Sequence, residues 1–263
     1  MKTVVITGST RGIGYGLADA FLGLGCSVAV SGRTQAAVDA AVARLRAKHE
    51  AKRVCGFACD VADYAQVEGL WAAAQAHFGQ IDIWINNAGV GHGISDFEKL
   101  APEQMKTIVE TNVLGAMHGS RVALAGMRAQ GFGSLYNMEG LGSSGGRQVQ
   151  GLSIYGTSKA ALRYLDDALM LQTRGMPIIV GALQPGMTVT DMLTRQYEGR
   201  PEDWEKFKRI LNILADRVEV VAPWLAQKVL ANTRGGVRFK FLSPGKIAWR
   251  FLTAPFARRR VVD

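Results

Sequence analysis

Tyr155 and Lys159 stand four residues apart in "YGTSK", which is one turn of a helix. A phenol and an ammonium on one helix face can protonate a carbonyl oxygen while a hydride reaches the carbonyl carbon. A phenol with an ordinary pKa near 10 is a poor acid–base catalyst at neutral pH, and an adjacent cation lowers that value. The chemistry calls for a third group, a hydroxyl that polarises the carbonyl. Where a serine would follow the strand "SLYNM", the sequence has Glu139 and Gly140, and Ser143 and Ser144 come just after. A loop with Gly140, Gly142, Gly145 and Gly146 can fold so that a displaced serine reaches the carbonyl. Ser143 is the first candidate and Ser144 the second. The alternative is that both serve only to form the turn.

A second cluster lies near the N-terminus. "TGSTRGIG" (7–14) places Gly8, Gly12 and Gly14 between an apolar β-branched run and a helical pattern. Glycines there let the backbone turn tightly and approach a pyrophosphate resting on the helix N-terminus. Thr10, Arg11 and Ile13 belong to the same loop. A carboxylate at the end of the second strand would mark an unphosphorylated ribose, but the residues there are Gly32 and Arg33. Two guanidiniums, Arg11 and Arg33, without an acid fit a dianionic 2′-phosphate, so NADP(H) is the expected cofactor. The competing reading leaves both arginines solvated. Asp60, in "CDV" (59–61), either accepts from an adenine amino group with Val61 beside the ring, or caps the next helix.

The elements that must position these groups alternate along the chain. Strand-like runs occur at 2–7, 26–33, 53–61, 81–89, 133–138 and 177–186, with helical patterns between them. "GVRFKFLS" reads as a last strand, and helix covers much of 190–232. This order predicts an α/β fold: one Rossmann-type, doubly wound parallel sheet flanked by helices. The whole chain, 1–263, reads as a single domain with a lid over 190–232 and a basic C-terminal extension over 243–263. Ligands of such sheets bind at the carboxyl ends of the strands, where every cluster above falls.

Composition removes several function classes. The net charge is +9, and eight basic residues against Asp263 alone lie between Arg234 and the C-terminus. A near-neutral body argues against nucleic acid. Cys26, Cys55 and Cys59 lack metal-ligand spacing, and the four histidines are scattered, so no metal is expected. No apolar run approaches the about 18–20 residues of a membrane span, and no leader pattern precedes "MKTVVITG", so a cytoplasmic protein is expected. The tail mixes Trp249, Phe251, Leu252 and Phe256 with its cations. Three readings compete there: a contact within a homo-oligomer, a peripheral contact with a membrane surface, and a contact with a large apolar substrate.

Taken together, "TGSTRGIG", "CDV", "NNAG" (86–89), Asn112 in "ETNVLGA", "YGTSK" and "QPGMTVTDM" (184–192) resemble the short-chain dehydrogenase/reductase family over nearly the whole length. The resemblance implies that Tyr155 is the acid and that Lys159 orients the cofactor and lowers the tyrosine pKa. It implies that Asn112 holds a water in a proton relay and that Asn87, Ala88 and Gly89 back the adenosine ribose. Pro185, Gly186, Thr188 and Thr190 would line the nicotinamide side. The segment "NMEGLGSSGG" and the tail are most similar to the chlorophyll b reductase branch. That branch implies reduction of a formyl group on a chlorophyll ring. A smaller ketone, quinone or lipid aldehyde is the enzymatic alternative. A catalytically silent NADP-binding regulator is the alternative of another class, favoured by the vacant serine slot and opposed by the intact Asn–Tyr–Lys set.

Overall fold

The computed structural model describes residues 1–143, 148–197, 199–256 and 259–262. Ser144, Gly145, Gly146, Arg258 and Asp263 lie outside the described residues. Short β-branched and apolar runs form the buried strands β1 (Thr3–Ile6), β2 (Ser27–Gly32), β3 (Val54–Ala58), β4 (Ile83–Asn86), β5 (Gly133–Met138) and β6 (Ile178–Gln184). With the edge strand β9 (Arg238–Lys240) they make one parallel sheet in the order β3-β2-β1-β4-β5-β6-β9. The chain therefore reverses its direction of travel between β1 and β4, which opens a crevice at the carboxyl ends of the strands.

Helices cover both faces. On one side α1 (Gly12–Gly23), α2 (Gln35–Arg46) and α9 (Val218–Ala231) enclose Leu17, Phe21, Leu45 and Leu225. On the other, α3 (Tyr64–Phe78), α5 (Gly115–Gln130) and α6 (Ser153–Gln172) enclose Trp71, Trp84, Met127 and Leu135. Each fully buried side chain of this kind contributes about 1.5–3 kcal/mol of transfer free energy. The caps follow the sequence: Thr34 Oγ1 accepts from Ala37 N at the start of α2. Gly131, at φ 83°, ends α5.

Four features depart from the expected layout. The helical stretch beginning with α4 (Pro102–Val109) joins α5 through a π turn at Glu110–Leu114. Strand β7 (Thr188–Val189) pairs in parallel with β8 (Asp216–Arg217), a small second sheet that pattern alone did not indicate. The expected lid is shorter than 190–232, because α9 is a core helix. Val221, Ala222 and Leu225 are fully buried, and a Cβ on Gly16 of α1 would stand 2.2 Å from Val218 Cγ1. At the crevice stands α7 (Asp191–Thr194), whose Met192 would lie 3.6 Å from a Cβ on Gly91, beside Tyr155, and α8 (Pro201–Leu214) follows it in the chain. The C-terminal extension folds into α10 (Pro244–Thr253), which rests on α8.

Candidate active site

The glycine loop leaves β1 with Gly8 at φ 62° and Gly12 at φ 57°, conformations that favour glycine. A Cβ on Gly14 would lie 2.4 Å from Asn87 Nδ2 and 2.5 Å from Gly8 O, so only a bare backbone fits there. The loop is clamped from the next strand. Thr7 Oγ1 accepts from Asn87 N (3.0 Å) and Ala88 N (3.1 Å), and Asn87 Nδ2 donates to Thr7 O and Gly8 O. Helix α1 starts at Gly12 with no side chain capping it and no acid in its first turn. Its free N–H groups and positive dipole end open at the crevice and suit an anion, which fits a dinucleotide pyrophosphate.

The residues expected around an adenosine end hold varied positions. Arg33 is exposed just beyond β2, and Arg11 faces Asp191 at 3.8 Å with most of its side chain in solvent. Thr10 packs over Gly32, and its carbonyl accepts from Arg44. Asp60 does not cap the next helix. Asp63 does, accepting from Ala65 N at 2.9 Å and Gln66 N at 3.3 Å. Asp60 Oδ1 takes Ala62 N instead, in a local turn beside buried Val61. On the other side of the crevice, Pro185 and Thr188 are buried and Gly186 is at φ 72°. Thr190 leans over the glycine loop, so that a Cβ on Gly12 would lie 3.7 Å from its methyl group.

Tyr155 and Lys159 occupy the first turns of α6, as their spacing requires. Lys159 is buried, and its Nζ donates to Met138 O at 2.9 Å. Nζ stands 5.9 Å from the centre of the Tyr155 ring. Burial pushes the lysine down to about 8, against the pull of Asp166 and Glu139. Tyr155 keeps part of its surface open to the crevice, yet its dense surroundings push the phenol up to about 12. Desolvation is the dominant effect on the phenol, and it acts in the direction opposite to the lowering by lysine that the resemblance implies. A phenol held neutral in this way is the form that gives a proton.

Asn112 sits on the π turn, fully buried, and ties three elements together. Its Oδ1 accepts from Val90 N (2.8 Å), and its Nδ2 donates to Val90 O (2.8 Å) and Ser158 Oγ (3.0 Å). Ser158 Oγ in turn donates to Tyr155 O. A Cβ on Gly89 would lie 3.4 Å from Asn112 Oδ1 and 3.8 Å from Lys159 Nζ, so Asn112, Gly89 and Lys159 converge. Buried His92 supports the tyrosine from behind, taking Tyr155 N on Nε2 at 3.4 Å. The position facing the tyrosine hydroxyl is Gly140, where a Cβ would stand 2.8 Å from the phenol oxygen. Ser143 is buried and its Oγ donates to Gly140 O at 2.6 Å. The serine therefore folds onto the carbonyl of the glycine that occupies its usual slot.

Beneath this site runs a buried polar network that pattern reading missed. Trp84 Nε1 donates to Asn86 Oδ1, Asn86 Nδ2 donates to Asn137 Oδ1, and Asn137 Nδ2 donates to Asp166 Oδ1 at 2.5 Å. Glu139 pairs with Arg238 at 3.0 Å and accepts from Gln184. Arg238 also reaches Asp167 at 2.6 Å. Asp166 Oδ2 has no hydrogen-bond partner among the described residues, and Glu139 is the acid that faces it. Burial, with Glu139 opposite, drives Asp166 well above the usual carboxylate range. One signal was available: Asp166 lies seven residues after Lys159, on the same helix face.

The profile of the short chain dehydrogenase family matches residues 2–201, and the chain belongs to that family. A chloroplastic chlorophyll(ide) b reductase of Arabidopsis thaliana is 34% identical over 238 residues, covering 89% of this chain and 66% of its own length. The D-beta-hydroxybutyrate dehydrogenase of Cupriavidus necator is 29% identical over 252 residues, covering 90% and 95%. The chain spans 54 to 66% of the plant chlorophyll(ide) b reductases it matches. In structure, the 3-ketoacyl-(acyl-carrier-protein) reductase of Brucella melitensis complexed with NADH superposes with a TM-score of 0.78 at 25% identity, over 91% of this chain and 96% of that one.

Proposed function

We propose that the protein is an NADPH-dependent carbonyl reductase acting on the formyl group of chlorophyll(ide) b or a related tetrapyrrole. The observation that carries the reaction type is the neutral Tyr155 phenol at the crevice with buried Lys159 beside it. The cofactor, when bound, supplies the hydride that adds to the carbonyl carbon. Tyr155 gives its proton to the carbonyl oxygen, so aldehyde becomes primary alcohol. The Lys159 ammonium stabilises the tyrosinate left behind and returns a proton to it, and Asn112 with Ser158 leads from that pair toward Val90 and the crevice wall. Ser143, turned from Gly140 O by a side-chain rotation, would polarise the carbonyl. Gly8, Gly12 and Gly14 with the open end of α1 hold the pyrophosphate, and Arg11 and Arg33 without an acid at Gly32 favour the 2′-phosphate.

The tetrapyrrole assignment rests on likeness to plant chlorophyll(ide) b reductases and on the resemblance of the segment "NMEGLGSSGG" to that branch. A smaller hydroxy or keto acid is the second reading, supported by the end-to-end match to D-beta-hydroxybutyrate dehydrogenase. Exposed Val109, Leu114 and Met117 along one side of the α4–α5 helix support a homo-oligomer. None of the described helices is long and apolar enough to cross a membrane.

The test is spectroscopic. The protein with NADPH and chlorophyllide b should convert the formyl pigment to the hydroxymethyl product, and Tyr155→Phe should abolish this while binding NADPH normally. Absence of conversion with NADPH bound would reject the pigment. Conversion that survives Tyr155→Phe would reject the mechanism.

A further inference from the structure

In the C-terminal segment Arg250 and Arg259 turn inward while large apolar side chains turn outward. Arg250 donates to Leu214 O (2.7 Å) and pairs with Asp216 Oδ2 (2.7 Å). Arg259 donates to Ile213 O (2.6 Å) and Ala215 O (2.9 Å) and pairs with Asp216 Oδ1 (3.0 Å). Asn212 takes Val261 N and Val262 N on its side-chain oxygen. These bonds satisfy the last carbonyls of α8, where a helix leaves acceptors open and favours positive charge. The charge-rich side of α10 is therefore fastened to the body of the protein.

The opposite side carries Trp249 at 67% exposure, Phe251 at 51%, Leu252 at 72% and, just past the helix, Phe256 at 89%. Trp249, Leu252 and Phe256 follow an i, i+3, i+7 spacing and form one ridge. At 150–250 Å² for a large side chain, the four expose on the order of 500 Å². A stable protein–protein interface needs about 800 Å² from each partner, so this ridge is small for a subunit contact. It is rich in Trp and Phe, the side chains that settle at the boundary of headgroups and acyl chains. Along the chain the charge around it has one sign: no Asp or Glu occurs from 220 to 262, while Lys228, Arg234, Lys240 and Arg260 are exposed.

We infer that the α10 ridge docks the protein on an anionic lipid surface, with Trp249, Leu252 and Phe256 entering the headgroup boundary. The Asp216 clasp fastens the segment that carries that ridge to the end of α8. The inference goes beyond the proposed reaction and stands whatever the substrate.

Flotation of the full chain with phosphatidylglycerol-containing vesicles tests it. The wild type should float at low salt, at least tenfold more than with phosphatidylcholine vesicles. The triple variant Trp249→Ser, Leu252→Ser, Phe256→Ser should lose flotation while keeping its thermal melt, its NADPH binding and its sedimentation coefficient. Three results would overturn the inference: a wild type that stays with the dense fraction, a variant that floats equally, or a variant that sediments as a smaller assembly. The last would make the ridge a contact between copies of this chain.

Discussion

Glu139 and Arg238 form an ion pair of 3.0 Å between the end of β5 and the edge strand β9, with the Glu139 side chain fully buried. The residue before Glu139 supplies the carbonyl that holds Lys159, and the acid that faces Glu139 is Asp166. The pair therefore anchors the floor of the reaction site to the last strand of the sheet. Removing one partner of such a buried pair costs about 3–5 kcal/mol.

Asp166 carries the first prediction. Its pKa is raised in the folded protein above the ordinary 3.8. Its contribution to stability is then complete below pH 3.8 and is lost as pH rises toward the raised value. Asp166→Asn keeps an acceptor for Asn137 and offers an N–H to Glu139. Denaturant titrations at about pH 5 and about pH 9 should show the wild type losing more stability over that span than the variant. Equal losses would mean that Asp166 is ionised throughout.

The crowding at Gly140 leads to the second. A Cβ there would stand 2.8 Å from the Tyr155 oxygen, so the phenol must move. Gly140→Ala should lower kcat by about tenfold to a hundredfold, since a displacement near 1 Å at a reacting group has that effect. NADPH affinity should barely change. An unaltered kcat would show that the tyrosine accommodates the methyl group in its working position.

Lys159 sets the third. Its ammonium is held down to about 8 by burial, and the tyrosinate formed in reduction needs that charge beside it. The rate of carbonyl reduction should therefore fall as pH rises through about 8, well before Tyr155 itself ionises near 12. A flat profile from about pH 7 to about pH 10 would remove the lysine from proton return.

The fourth concerns the choice of cofactor. Arg33→Asp places a carboxylate where a 2′-phosphate would sit. The ratio of kcat/KM for NADPH over NADH should fall at least tenfold, the effect of losing one charge-assisted contact. A ratio that stays constant would leave Arg33 as a solvated surface residue.

The succession of strands and helices, the glycine loop and the Tyr155–Lys159 pair were legible because each is written locally, in period, turn chemistry or one-turn spacing. Asn112 came from resemblance, and nothing in "ETNVLGA" announces the π turn that aims it. The Glu139–Arg238 pair was illegible for a physical reason: its partners are 99 residues apart and meet only because β9 joins β6 at the sheet edge. Charge counting found the basic tail but not its direction. Arg250 and Arg259 point inward because Asp216 and the open carbonyls of α8 lie beneath them, and neither is visible before the chain is folded.

The π turn at Glu110–Leu114 sets local regularity against the geometry of the site. One residue fewer in that segment would let α4 run into α5 as an unbroken α-helix, with better backbone bonds and less strain. The same deletion would swing Asn112 away from Val90 and Ser158 and shift the phase of every α5 side chain relative to α4. Insertions and deletions in this family member should thus be tolerated on either side of the helix pair, and purged within five residues of it, even though no loop lies there.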